Sequence, residues 1–201
     1  MKIAIVTFEG FNEIDSFVAL NILNRVKQEN WKAEIVAPTE VVTSLNGVTI
    51  HAQRPLSFAS EADAVLFGSG RLTRQIAGDA QLLSRIKVAP ERQLVGSQCS
   101  GALLLKKLGL FEGIALCTDA TTRPFLLETG AAVLDQSFYA SGNIASAGGC
   151  LSAVYLAAWV ILNLAGRAAA EDALGYVAPV GEQEKFIENA LKVVANPVAI
   201  S

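Results

Sequence analysis

Gln93-Leu94-Val95-Gly96-Ser97-Gln98-Cys99-Ser100-Gly101-Ala102-Leu103-Leu104-Leu105 is the stretch on which the fold turns. Gln93 to Val95 reads as a short buried strand and Gly96 to Gly101 as a turn. Ala102 to Leu108 reads as a helix, closed by Gly109, a residue suited to a left-handed helix end. A cysteine on a strand-turn-helix junction has the form of a nucleophile elbow. Such a turn strains the nucleophile's backbone and crowds the positions two residues either side, and Ser97 and Gly101 are small enough to meet that demand. The helix that follows points its amino end at the sulfur, and that partial positive charge favours thiolate over thiol. Cys99 is therefore expected to be a nucleophile near neutral pH. The plain alternative, a small apolar cysteine buried among small neighbours, is disfavoured by the junction.

Outward from the elbow, short apolar runs alternate with longer segments of helical period, the pattern of βα units around a mainly parallel sheet. Lys2 to Phe8 is a first strand, and the spacing of Ile14, Phe17, Val18, Leu20, Ile22, Leu23 and Val26 predicts a helix from Asn12 to about Glu29. Trp31 to Ala37 is a second strand. Val41 to Ser44 and Val48 to His51 flank Asn46-Gly47 and form a hairpin expected to cap a sheet edge. Ala64 to Phe67 is a third core strand running into Gly68-Ser69-Gly70, and helical structure from Leu72 to Ile86 breaks near Gly78-Asp79. Thr118 to Glu128 is strand-to-helix material, and a second hairpin turns at Ser141-Gly142-Asn143. Helices are expected over Leu151 to Leu164, Ala168 to Tyr176 and Gln183 to Ala195. Ligands of open α/β sheets gather beyond the carboxyl ends of the strands. Three such ends carry distinctive residues here: Phe8 to Asp15, Gly68 to Arg71, and the elbow.

Bulk properties narrow the function. The chain has 201 residues, 52% hydrophobic and 17% charged, which suits one compact domain over 1–201 and no disordered tract. A net charge of -3 with scattered Lys and Arg leaves no footprint for nucleic acid. The start, Met1-Lys2-Ile3-Ala4-Ile5-Val6, reads as a core strand rather than a signal peptide. The longest apolar run, about Leu151 to Ala165, is shorter than the ~20 residues of a membrane span. Cys99, Cys117 and Cys150 form no CxxC pair and there is one histidine, His51, which argues against a disulfide framework or a metal site and for a reducing, cytoplasmic setting. Cys117 and Cys150 are expected in the core. Arg71 and Arg123 border the pocket segments, as candidates for an anionic group or as solvated side chains.

The elbow Cys99-Ser100-Gly101-Ala102-Leu103-Leu104-Leu105 is accompanied by Ile3-Ala4-Ile5-Val6 with Phe11 to Leu23, and by Ala62-Asp63-Ala64-Val65-Leu66 with Gly68-Ser69-Gly70. Gly109-Leu110-Phe111-Glu112-Gly113, Thr118 with Thr121-Thr122, and Gly142-Asn143-Ile144-Ala145-Ser146-Ala147-Gly148 follow in order. Together they resemble the ThiJ/PfpI superfamily over nearly the whole chain, which implies a flavodoxin-like three-layer sandwich related to class I glutamine amidotransferases. The segment Ile14-Asp15-x-Phe17-x-Ala19-Leu20-x-Ile22-Leu23, with a small hydroxyl residue after the cysteine, looks most like the isocyanide hydratase branch. The resemblance implies that Asp15 shares a hydrogen bond with Cys99 or moves protons there, and that the Gly70 and Ser100 backbone amides form an oxyanion-type pocket. Glu13 is the competing acid, but two positions apart on a helix the carboxylates point about 200° apart, and the motif selects Asp15. A first-turn acid stabilising the helix dipole is the bland alternative for Asp15. Where other branches carry a histidine after the cysteine, this chain has Ser100, and Gly68-Ser69-Gly70 and Thr118-Asp119-Ala120 replace the usual Pro-Gly-Gly and Thr-His-Trp, so a pocket wall differs.

The resulting expectation is a cysteine-dependent hydratase or hydrolase acting on a small molecule, with no metal or organic cofactor and no nucleic-acid or membrane partner. The resemblance also implies a homodimer. A redox-sensing or stress-response protein, or a glyoxalase-like or deglycase-like enzyme, would use the same cysteine.

Overall fold

The computed structural model describes residues 1–195; the remainder of the single-domain expectation, 196–201, lies outside them. The chain runs β1 (Lys2–Val6), α1 (Glu13–Leu23), β2 (Lys32–Ala37), β3 (Val41–Thr43), β4 (Thr49–His51), β5 (Arg54–Pro55) and β6 (Ala64–Phe67). It continues through α2 (Thr73–Gly78), α3 (Ala80–Ser84), β7 (Leu94–Gln98), α4 (Ala102–Lys107) and α5 (Arg123–Glu128) to β8 (Phe138–Ser141) and β9 (Ile144–Ala147). Three helices close it: α6 (Ala153–Ala165), α7 (Arg167–Val177) and α8 (Gln183–Ala195).

Seven strands form one sheet in the order β5-β2-β1-β6-β7-β9-β8, parallel throughout except where β8 pairs with β9. The central strands are apolar on both faces, as burial on both sides requires. Ile3, Ile5, Ala33, Ile35 and Leu66 face a layer built from α1, α6, α7 and α8, while Ala4, Val6, Val65, Phe67 and Val95 face the layer containing α4. This is the expected flavodoxin-like three-layer sandwich. α6 is wrapped on nearly all sides, with Trp159 4% and Val160 and Ile161 0% exposed, and no described helix is long and apolar enough to cross a membrane.

The register levels the strand ends: Val6 lies opposite Phe67, Phe67 opposite Ser97, and Gln98 opposite Ala147. Connections leave β1 toward β2 and β6 toward β7, in opposite directions. The crevice between β1 and β6 is thus the switch point at which such sheets bind ligands.

Three local expectations are corrected. β7 runs on to Gln98, so Gly96 belongs to the strand and not to the turn. A Cβ at Gly96 would stand 2.7 Å from Leu66 Cδ2 and 2.9 Å from Leu156 Cδ2, so the missing side chain lets α6 lie close on the sheet. α1 stops at Leu23 because Asn24 caps it: Nδ2 donates to Leu20 O and Ala33 O, and Oδ1 accepts from Ala33 N, which ties the helix end to β2. The β3–β4 hairpin does not cap the sheet edge, which β5 occupies. It forms its own two-stranded sheet bound to the β1–α1 loop, with Gly10 N to Thr43 O at 2.7 Å, Thr43 N to Glu9 Oε2 at 2.9 Å and Leu45 N to Phe11 O at 2.8 Å.

Candidate active site

Cys99 follows β7 directly and opens a single 3-10 turn, Cys99–Gly101, before α4. Its φ is 48°, in the left-handed region that costs an ordinary residue about 1–3 kcal/mol. A Cβ at Gly101 would meet Phe67 O at 2.6 Å and Gly68 O at 2.8 Å, so the turn is seated against the end of β6 and only glycine fits. The Cys99 carbonyl accepts from Thr118 Oγ1 at 2.9 Å, and its sulfur accepts from Gln98 Nε2 at 3.4 Å. Cys99 is 3% exposed.

Asn12 caps α1, its Oδ1 accepting from Ile14 N, while its Nδ2 donates to Cys150 Sγ at 3.2 Å. The cap sets the rotation of α1, and rotation sorts the two acids. Glu13 faces the hairpin, where Ser44 Oγ and Asn46 Nδ2 donate to it. The Ser44 bond, first among its influences, holds the Glu13 carboxyl below its usual range. Asp15 faces the elbow, 2% exposed. Ser69 Oγ donates to its Oδ2, and Oδ1 has no hydrogen-bond partner among the described residues. A carboxylate oxygen of Asp15, Cys99 Sγ and Cys150 Sγ all lie within 4.8 Å of one another. Asp15 is therefore not a solvated first-turn acid.

Electrostatics run against one expectation. Burial pushes the Asp15 carboxyl up, against the opposing pull of the Ser69 hydrogen bond and of the neighbouring Cys99 and Cys150 thiols. Burial also pushes the Cys99 thiol up, and the negative charge of Asp15 beside it adds to the effect. Both shifts run against the thiolate expected from the helix end, since one 3-10 turn and the short α4 offer little dipole against so dry a site.

A cavity of about 520 Å³ opens over the sulfur, lined in part by Asn12, Gly70, Thr73, Ser100, Phe125 and Cys150. Gly70 and Ser100, the two expected amide donors, both stand on its wall. The Gly70 amide donates to Thr73 Oγ1 at 3.0 Å and weakly to Ser100 Oγ at 3.4 Å. Ser100 Oγ in turn donates to Thr73 Oγ1 at 2.9 Å, and Thr73 Oγ1 to Gly70 O at 2.8 Å. Thr73 thus links the two positions, a role that sequence spacing alone did not reveal. Arg71 lines the cavity as its position suggested. Arg74, which the sequence reading passed over, also lines it and lies 4.4 Å over the Phe125 ring. Arg123 instead pairs with Asp135 at 3.8 Å. His51 is exposed on the β3–β4 hairpin.

Cys150, read as the start of an apolar helix, departs from its expected place in the core: it is half-buried and lines the cavity. Gly148 and Gly149 leave the carboxyl end of β9, level with the elbow, and Cys150 opens a 3-10 turn, Cys150–Ser152, that leads into α6. The paired glycines after a strand adjacent to β7 were the available signal. Asp15, Cys99 and Cys150 are also the one group of this kind among the described residues that could hold a thiophilic metal ion.

The sequence model of the DJ-1/PfpI family matches residues 1–162. No curated protein matches the chain. Among solved structures, Schizosaccharomyces pombe DJ-1 superposes with a TM-score of 0.76 at 18% identity, covering 89% of this chain and 100% of that one. Drosophila melanogaster DJ-1beta gives 0.75 at 17% identity, over 88% of this chain and 96% of that one. Oxidized Toxoplasma gondii DJ-1 gives 0.72 at 19%, over 88% of this chain and 97% of its own. At these identities the likeness establishes the shared fold.

Proposed function

The chain belongs to the DJ-1/PfpI family, and from that premise we propose that it is a cysteine-dependent hydratase of small electrophiles, with an isocyanide as the substrate type. The observation that carries this reading is buried Asp15, whose Oδ1 has no partner among the described residues and whose carboxylate clusters with the sulfur of Cys99 on the cavity wall. A thiol whose pKa is raised needs a base at the moment of attack, and a buried carboxyl is matched to take that proton and return it. A neutral, linear isocyanide enters such a site without bringing a charge into it.

The Cys99 proton passes to Asp15 Oδ1 as the sulfur bonds to the terminal carbon of the isocyanide. Asp15 returns the proton to that carbon, leaving a thioimidate, Cys-S-CH=N-R. Water then adds to the same carbon, its oxygen forming the new bond while one of its protons goes to nitrogen. The C–S bond breaks, the sulfur regains a proton, and an N-substituted formamide leaves. The Gly70 and Ser100 amides would hold the oxygen of the tetrahedral adduct, with Thr73 yielding the bond it now accepts from Gly70.

The test is formamide formation from a small aryl isocyanide, followed by absorbance or mass spectrometry in wild type and Cys99→Ala. Product from wild type that is lost in the variant supports the reading. No product from wild type, or equal product from both, overturns it.

A further inference from the structure

Four strand ends meet at the cavity, and the proposed reaction uses only three of them. The fourth, after β9, brings Cys150. β7 and β9 are adjacent and parallel with Gln98 opposite Ala147, so Cys99 and the loop to Cys150 leave neighbouring strands about 4.8 Å apart. The Gln98 side chain holds the two together: Nε2 donates to Gly149 O at 2.7 Å, to Cys150 O at 3.4 Å and to Cys99 Sγ at 3.4 Å. Asn12 Nδ2 reaches Cys150 Sγ from the other side at 3.2 Å. Both sulfurs line the cavity within 4.8 Å of each other and of Asp15. The third cysteine, Cys117, is 0% exposed, its backbone bonded to Ser146.

We propose that Cys99 and Cys150 form a redox pair in which a hydroperoxide admitted to the cavity is reduced and the thiols close into a Cys99–Cys150 disulfide. Cys99 sulfur attacks the terminal peroxide oxygen. The O–O bond breaks, the thiol proton travels through Asp15 to the departing oxygen, and an alcohol, or water from hydrogen peroxide, leaves behind Cys99 sulfenic acid. Cys150 sulfur then attacks the sulfenic sulfur. The S–S bond forms as the S–O bond breaks, and the hydroxyl leaves as water with the Cys150 proton. In sum, two thiols and one hydroperoxide give one disulfide, one alcohol and one water. Any thiol reductant reopens the pair by exchange. The disulfide ties up the proposed nucleophile reversibly and shields it from sulfinic acid, which is not recovered by thiols. This inference rests on Cys99 being the reactive thiol and is independent of the substrate it turns over.

The experiment treats the reduced full chain with hydrogen peroxide, alkylates residual thiols, and maps the cysteines by mass spectrometry. Wild type is expected to lose two hydrogens, to yield a cross-linked peptide pair holding Cys99 and Cys150, and to revert with dithiothreitol. Cys150→Ala and Cys150→Ser should instead gain two oxygens at Cys99 and fail to revert, while Cys117→Ala should behave as wild type. Absence of the linked pair, with Cys99 unoxidised or reaching sulfinic acid as fast in wild type as in the Cys150 variants, would overturn the proposal, as would linkage through Cys117. Isocyanide turnover of the same reduced sample is measured alongside. Formamide without disulfide removes the redox pair alone, and disulfide without formamide removes the hydratase reading alone.

Discussion

Cys99 and Cys117 look alike by two common criteria. Both are almost inaccessible, and burial pushes both thiols up, Cys117 to about 12. They differ in what surrounds the sulfur. Cys117 is packed beside Ser146, which moderates the effect of burial. Cys99 sits on a left-handed backbone in the wall of a cavity, with a buried carboxyl and a second thiol beside it. Low exposure and a raised pKa therefore do not tell a structural thiol from a chemical one. A strained backbone, a proton acceptor within reach and a cavity to admit substrate do.

The largest expected contrast is in turnover. Cys99→Ala should lower formamide formation by about a thousandfold or more, since the covalent route is lost, whereas Cys117→Ala should leave it within about twofold because surrounding contacts alone change. Comparable losses in the two variants would break the distinction. Next comes Asp15→Asn, which keeps the shape but removes the proton acceptor. It should slow turnover by about a hundredfold and shift the pH onset of iodoacetamide labelling at Cys99 to lower values, because the adjacent negative charge is gone. An onset unmoved or moved upward would separate Asp15 from the thiol.

A smaller effect follows from linkage. The Asp15 carboxyl ionises at higher pH in the fold than in the unfolded chain. Its contribution to stability is fully present below the unfolded carboxyl pKa and is lost as pH rises through the raised value. Urea unfolding from acid to neutral pH should thus show wild type losing stability relative to Asp15→Asn, and a flat difference would contradict the burial argument. The smallest effect is the cost of Cys117→Ala to stability, about 1 kcal/mol from the void left by the sulfur, measured by urea unfolding; no measurable change would mean that the core closes around the gap.

Much of this architecture was legible before any tertiary information. Ala64–Phe67, the break near Gly78-Asp79, the β8–β9 hairpin around Gly142 and the closing helices fall where periodicity and turn residues put them. The elbow was legible for the same reason, being marked by residues within one turn, whereas Asp15 was selected over Glu13 through the family resemblance. Local signals misled where a long-range contact took over: Asn24 bonding to Ala33 ended α1 early, Leu66 and Leu156 claimed Gly96 for the strand, and the β1–α1 loop drew the first hairpin off the sheet edge.

What the sequence by itself determined is the succession of βα units, the strained cysteine between β7 and α4, and an acid on the first turn of α1, because alternation, helical period and small residues around a turn are properties of neighbouring residues. What only the tertiary structure decided is the company that cysteine keeps. Residues 15, 69, 73, 98 and 150 come from four separate strand ends, and which of them meet depends on sheet order, register and the rotation of α1. What pushes the thiol's pKa up lies there too, since burial and a facing carboxylate act through space, against the short helix end behind the sulfur.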